Sequence, residues 1–186
     1  MMPPFLLAAA LVLQPAPGSK MTLEVYKTGL MSGKKHVFEF TRFQGTLAYD
    51  AAQPEASRVE LAINAASIEC KDTWLSESDR KKVMDLTLGA EMLDVRRHPT
   101  IRFSSTAITN LGGNRYQAAG LLTIRGVSKP VSIDLTATET GGKLQLSGKA
   151  TIRLKDYNLK PPSAVLGAIG TRNEMLFEFT LLAENL

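Results

Sequence analysis

Apolar residues recur at every second position through most of this chain, and that spacing limits what it can fold into. In an extended strand successive side chains point to opposite faces, so a period of two gives one apolar face and one polar face. Two segments in the second half show it most clearly. One is His98-Pro99-Thr100-Ile101-Arg102-Phe103-Ser104-Ser105. The other runs from Gly120 to Val131 and reads Gly-Leu-Leu-Thr-Ile-Arg-Gly-Val-Ser-Lys-Pro-Val. Each carries a Pro or Gly where a strand starts or bends. They describe a curved sheet around an interior.

The same pattern recurs elsewhere. Phe38 and Phe40 share a face, as do Val59, Leu61 and Ile63. Leu122 and Ile124, then Val131, Ile133 and Leu135, continue it. Leu144 and Leu146, Ile152 and Leu154, and finally Met175, Phe177, Phe179 and Leu181 complete it. Turn residues separate the runs: Asn110–Asn114 and Thr140–Lys143 carry the Gly and Asn that tolerate positive φ. Arg125 and Lys129 fall in what reads as one long strand around Gly126. Many strands joined by short turns predict an antiparallel meander, and closing it into a barrel removes its edges. One stretch differs. From Thr73 to Val95 the apolar spacing is helical, with Ser76 or Ser78 as cap, Glu77 and Asp79 in the first turn and Gly89 as a break.

The 186 residues suit one domain with a substantial core. The net charge of +4 is spread over scattered Lys and Arg, without the dense basic stripe and interleaved aromatics of a nucleic-acid surface. It is compatible with transient contact at a membrane surface. Phe5–Leu13 is an apolar run of signal-peptide length, and Gln14–Gly18 breaks any helix after it. Residues 1–18 are therefore expected to be a cleaved signal peptide, and 19–186 an exported, periplasmic or secreted single domain. Cys70 is alone, so no internal disulfide forms, and a small packed residue is its expected role.

Catalytic and metal signatures are missing. There is no His-Glu-x-x-His, Cys-x-x-Cys, Gly-x-Ser-x-Gly or phosphate-binding Gly-rich loop. Neither a metal, a cofactor nor an enzymatic activity is expected. His36 follows Lys34 and Lys35 and reads as solvated, and His98 as an exposed residue at a strand entry. Glu69, Asp72 and Asp94 read as solvated carboxylates. Trp74, at the start of the helical stretch, either anchors the helix or lines a cavity entrance. Within Lys160–Gly170, the apolar residues Ala164, Val165, Leu166, Ala168 and Ile169 lie in a loop. Such a loop either plugs one end of the barrel or meets a ligand.

The segment from Leu93-Asp94-Val95 through His98–Phe103 resembles the helix-to-strand junction of YceI-like proteins. Gly120–Val131 is similar to that family's most recognisable strand pair, and Ile152–Tyr157 and Glu174–Ala183 fit its last third. Lys27–His36 and the Pro161-Pro162 loop depart from the family pattern. The resemblance implies an all-β, eight-stranded antiparallel, lipocalin-like barrel with a helical insertion, of a kind that pairs into homodimers. It also implies non-enzymatic binding, storage or transport of a long-chain amphiphile such as an isoprenoid, an isoprenoid quinone or a fatty-acid derivative. Phe38, Phe40, Leu61, Ile63, Phe103, Leu122, Ile133, Leu146, Phe177 and Phe179 are the expected pocket lining, with Trp74, Leu166 and Ile169 at its ends. The same inward residues would build the alternative, a structural or protein-interaction barrel with a filled core.

Overall fold

The computed structural model describes residues 9–185. Eleven strands and one α-helix follow one another along the chain. They are β1 Ala9–Leu13, β2 Lys20–Gly29, β3 Lys35–Phe40, β4 Phe43–Tyr49, β5 Arg58–Asn64, β6 Ile68–Cys70, α1 Glu77–Leu88, β7 Thr100–Gly112, β8 Arg115–Ile124, β9 Val127–Thr140, β10 Lys143–Arg153 and β11 Ile169–Asn185. All pairings are antiparallel. Eight strands close a ring in the order β1-β4-β5-β7-β8-β9-β10-β11 and back to β1. The remaining three extend one end of it as β11-β2-β3-β6.

The extra strands arise because three staves are bent. Short breaks at residues 14–19, 41–42 and 65–67 divide β1 from β2, β3 from β4 and β5 from β6. Beyond these bends the sheet pairs β6 with β3, and α1 takes the place between β6 and β7. Ser76 caps α1 by accepting from the Asp79 N–H at 3.1 Å, with Glu77 and Asp79 in the first turn, and Gly89 ends it. Val83 and Leu86 of α1, with Met92 and Leu93 after it, face the barrel interior.

Three hairpins use two-residue turns with both residues at positive φ, a twist that matches the flanking strands. They are Gly113-Asn114, Arg125-Gly126 and Gly141-Gly142. The middle one corrects the sequence reading. Gly120–Val131 is not one long strand, because Arg125 at φ 50° and Gly126 at φ 74° reverse it. Arg125 therefore sits in a turn and Lys129 on β9.

The apolar run near the start of the chain has a structural place. Phe5–Ala8 lies outside the described residues, but Ala9–Leu13 is β1, paired with β4 on one side and β11 on the other. Its own alternation explains this: Leu11 and Leu13 point inward and are buried, Leu13 to 1 % exposure, while Ala10 is exposed. Cleavage after Gly18 would take this stave away and leave two strand edges open. A chain beginning at Ser19 is expected to lose about 5 kcal/mol or more from the two leucines and the unpaired edges. It should melt well below the full chain and tend to precipitate. Equal melting temperatures by circular dichroism would contradict a closing role for β1.

Candidate ligand cavity

Small inward residues keep this barrel from filling. On β8 the inward row is Ala118, Gly120, Leu122 and Ile124, and on β10 it includes Gly148 and Ala150. The Phe103 ring lies 2.6 Å from where a Cβ on Gly120 would stand, and the Phe179 ring 2.8 Å from that of Gly148. Each ring thus occupies the space that a side chain at the glycine would take. About 210 Å³ is left open to the centres of water-sized molecules. A single water needs only ~10–15 Å³ on that measure.

The wall of this space is almost wholly apolar, and only four of its side chains are polar: Lys27, His36, Thr87 and Thr171. Thr87 is spoken for, because its hydroxyl donates to the Val83 carbonyl at 2.7 Å. The other three sit on the neighbouring strands β2, β3 and β11. Thr171 is opposite Lys27 in register, and His36 is opposite Val25, two residues before Lys27. One end of an apolar cavity is therefore polar.

His36 is held rigidly there. Its Nδ1 lies 2.5 Å from Asp72 Oδ2, while Asp72 Oδ1 accepts from the Val37 N–H at 2.8 Å. Both side chains are buried, at 6 % and 3 % exposure. Trp74 stacks on the imidazole with ring centroids 5.4 Å apart and 20° between planes, and donates from Nε1 to the Lys35 carbonyl at 3.2 Å. Arg80 of α1 donates to the Asp72 carbonyl at 2.7 Å, tying the helix to the same segment. Lys27 is different. Burial pulls its ammonium below the usual lysine range, with the Asp72 carboxylate pulling the other way. Its ammonium has no hydrogen-bond or ion-pair partner among the described residues.

Ten of the expected pocket residues stand in the cavity wall: Phe38, Phe40, Leu61, Ile63, Phe103, Leu122, Ile133, Leu146, Phe177 and Phe179. Three do not. Trp74 is 37 % exposed and covers His36 from behind. Leu166 is fully exposed, because Val165 and Leu166 both adopt left-handed φ and turn the loop tip outward. Ile169 begins β11 beside Gly29 of β2 and is outside the wall. The loop contributes instead through Pro162, with Leu159 just before it.

His36, Asp72 and Asp94 are corrections as well, since all three are buried rather than solvated. A signal for His36 was present in the chain. Stepping back by two from Phe40 and Phe38 lands on it, and stepping forward from Met21, Leu23 and Val25 lands on Lys27. Neighbouring lysines 34 and 35 masked the first, and a terminal position on its strand masked the second. His98 is half-buried against Gly126, and its backbone N–H donates to the Asp94 carbonyl at 2.9 Å.

His36, Cys70 and Asp72 place one metal-ligating atom each within 4.8 Å of one another. These are donor types that zinc accepts. Here the groups already serve one another. Asp72 spends one oxygen on His36 and the other on Val37. Burial pushes the Cys70 thiol up, against the pull of the Asp72 backbone N–H.

Two expected outcomes follow from these buried polar groups. Asp72→Ala leaves His36 and the Val37 N–H without their partner and should cost about 3 kcal/mol in urea unfolding. A loss below about 1 kcal/mol would mean the pair anchors nothing. Tyr157 is buried, with a hydroxyl that finds no partner among the described residues, and burial pushes its pKa up to about 12. The folded phenol thus keeps its proton while an unfolded one, with an ordinary value near 10, has lost it. Above pH 10 the unfolded chain gains by ionising this phenol while the folded one does not, so stability drains away as pH rises towards 12. Tyr157→Phe should flatten that alkaline loss and gain about 1 kcal/mol at pH 7. An unchanged alkaline profile would contradict it.

Comparison with known proteins places this architecture. The YceI-like domain matches residues 14–181. A UPF0312 protein of Pseudomonas putida (strain W619) is 30 % identical over 131 residues, covering 67 % of this chain and 64 % of the relative. A UPF0312 protein of Pectobacterium atrosepticum is 34 % identical over 126 residues, covering 64 % of this chain and 61 % of the relative. The matched region thus spans less than two-thirds of these relatives. Among solved structures, BcnA of Burkholderia cenocepacia superposes with a TM-score of 0.69 at 21 % identity, over 87 % of this chain and 95 % of that one. The YCEI protein of Campylobacter jejuni gives 0.63 at 15 % identity, over 80 % and 84 %. With the family domain spanning nearly the whole closed, helix-bearing eight-stranded barrel, the chain belongs to the YceI-like family.

Proposed function

We propose that this protein binds one long-chain amphiphilic lipid inside the barrel, for storage or transport, and does so without catalysis. The ligand class is an isoprenoid, an isoprenoid quinone or a fatty-acid derivative. The observation that carries this reading is the hollow interior, apolar along its length and polar at one end. A barrel of eight strands is the size that either packs shut or holds one small ligand. The glycines beneath Phe103 and Phe179 favour the second outcome over a filled structural core.

The energetics suit a long tail. Each buried CH₂ contributes about 0.8 kcal/mol, against an association cost of about 4–15 kcal/mol. Short chains cannot repay that cost, and long ones can. Loading from a membrane surface belongs to this reading. Leu30, Val165 and Leu166 are exposed apolar residues on adjoining loops, joined by the Leu30 N–H donating to the Ala168 carbonyl at 3.0 Å. A periplasmic or secreted location belongs to this reading, with β1 retained in the folded protein because it closes the barrel.

A fluorescent polyene fatty acid displaced by unlabelled chains tests the site. Affinity should rise by up to about fourfold per methylene, the equivalent of 0.8 kcal/mol, until the cavity is full. Phe103→Trp and Leu122→Trp should weaken uptake at least tenfold while the circular dichroism spectrum persists. Leu166→Ser, at the exposed loop tip, should slow loading from vesicles while leaving the affinity for free chains unchanged. Undiminished binding in both tryptophan variants would overturn the pocket.

A further inference from the structure

The polar end of the cavity is unusual because its cation has nothing to pair with. Three neighbouring inward rows, on β2, β3 and β11, end together. Met21, Leu23 and Val25 on β2 lead to Lys27, and Phe40 and Phe38 on β3 lead to His36. On β11 the row from Leu181 back to Met175 is interrupted by a bulge and resumes at Thr171, opposite Lys27. A partly buried ammonium that feels the Asp72 carboxylate only at a distance, with no hydrogen-bonded counter-charge among the described residues, costs free energy that the fold does not fully recover. His36 adds a second free valence. Asp72 occupies Nδ1, so Nε2 is the ring's uncommitted nitrogen, on a buried side chain that lines the cavity. A carboxylate behind one ring nitrogen fixes the ring and makes the other nitrogen a stronger partner, the arrangement used to hold ligands on imidazoles generally.

We propose that Lys27, His36 and Thr171 form a head-group subsite for an oxyanion, a carboxylate or a phosphate monoester, at the end of a long apolar chain. The subsite rests on the lipid-binding reading above and specifies which end of the ligand goes where. Lys27 donates to an anionic oxygen and so gains the counter-charge it lacks. His36 Nε2, held in place by the Nδ1 contact with Asp72, hydrogen-bonds the head. The Thr171 hydroxyl serves a further oxygen. The tail runs away from them between Phe38 and Phe40 on one side and Phe177 and Phe179 on the other. An uncharged head leaves the ammonium unpaired, so discrimination falls on charge rather than on chain.

The test compares three ligands of one chain length, an alcohol, a carboxylic acid and a monophosphate, binding to the full chain at neutral pH. Calorimetry gives affinity. The fluorescence of Trp74, the only tryptophan and stacked on His36, reports occupation of the polar end. The wild type is expected to bind the acid or the monophosphate at least tenfold tighter than the alcohol, and the preferred anion identifies the source of the oxyanion. Lys27→Met should abolish that preference while keeping the alcohol's affinity, and Lys27→Arg should restore most of it. Equal affinity for all three heads in the wild type would overturn the subsite while leaving the lipid-binding reading intact. So would a Lys27→Met variant that weakens all three alike. No binding of any chain to the wild type would overturn the lipid-binding reading, and the subsite with it.

Discussion

Ring closure is the constraint on which everything else here depends. Once β1 joins β4 to β11, the eight ring strands have a neighbour on each side and alternate side chains must face a common interior. The interior then has a size set by strand number and a content set by sequence. Large residues at every inward position would have packed it solid. Gly120, Gly148, Ala118 and Ala150 prevent that, because aromatic rings fold onto them and leave the axis open. Where the bent stave pairs β6 with β3, α1 packs beside β6 and offers Val83 and Leu86 to the cavity.

A hollow apolar barrel gains little from polar groups inside it, so those present need a reason. His36 and Asp72 repay their burial to each other and to Val37, and Trp74 and Arg80 lock them from outside. That network costs little and holds one nitrogen in place. Lys27 has no such compensation within the protein. The contrast between a satisfied dyad and an unsatisfied cation, at the same end of one cavity, gives the barrel a direction. An amphiphile has the same asymmetry.

Much of this was legible in the chain. Period-two alternation gave the strands, the Gly and Asn turns gave two of three hairpins, and ten inward residues of the cavity wall could be named from phase alone. What escaped has physical causes. Arg125 takes a left-handed turn that Gly or Asn more often marks, so the third hairpin read as continuous strand. An apolar run near a chain's start has the composition of a leader and of a buried stave alike, and only pairing distinguishes them. Leu166 reads as cavity lining because apolar residues in a loop usually pack, whereas two successive positive φ values turn this tip outward. His36 and Lys27 required the alternation to be followed past its last apolar member. Asp72, the partner of His36, is 36 residues from it, a distance that no local pattern spans.

The most direct test is a native mass spectrum of the full chain purified without detergent, followed by solvent extraction. A hollow, ligand-bearing barrel predicts a single adduct per protomer that extraction releases as a long-chain amphiphile, and that an added prenyl or fatty ligand replaces one for one. A bare protein mass that stays bare after incubation with such ligands would contradict it, and would mean that the interior is closed to lipid in solution.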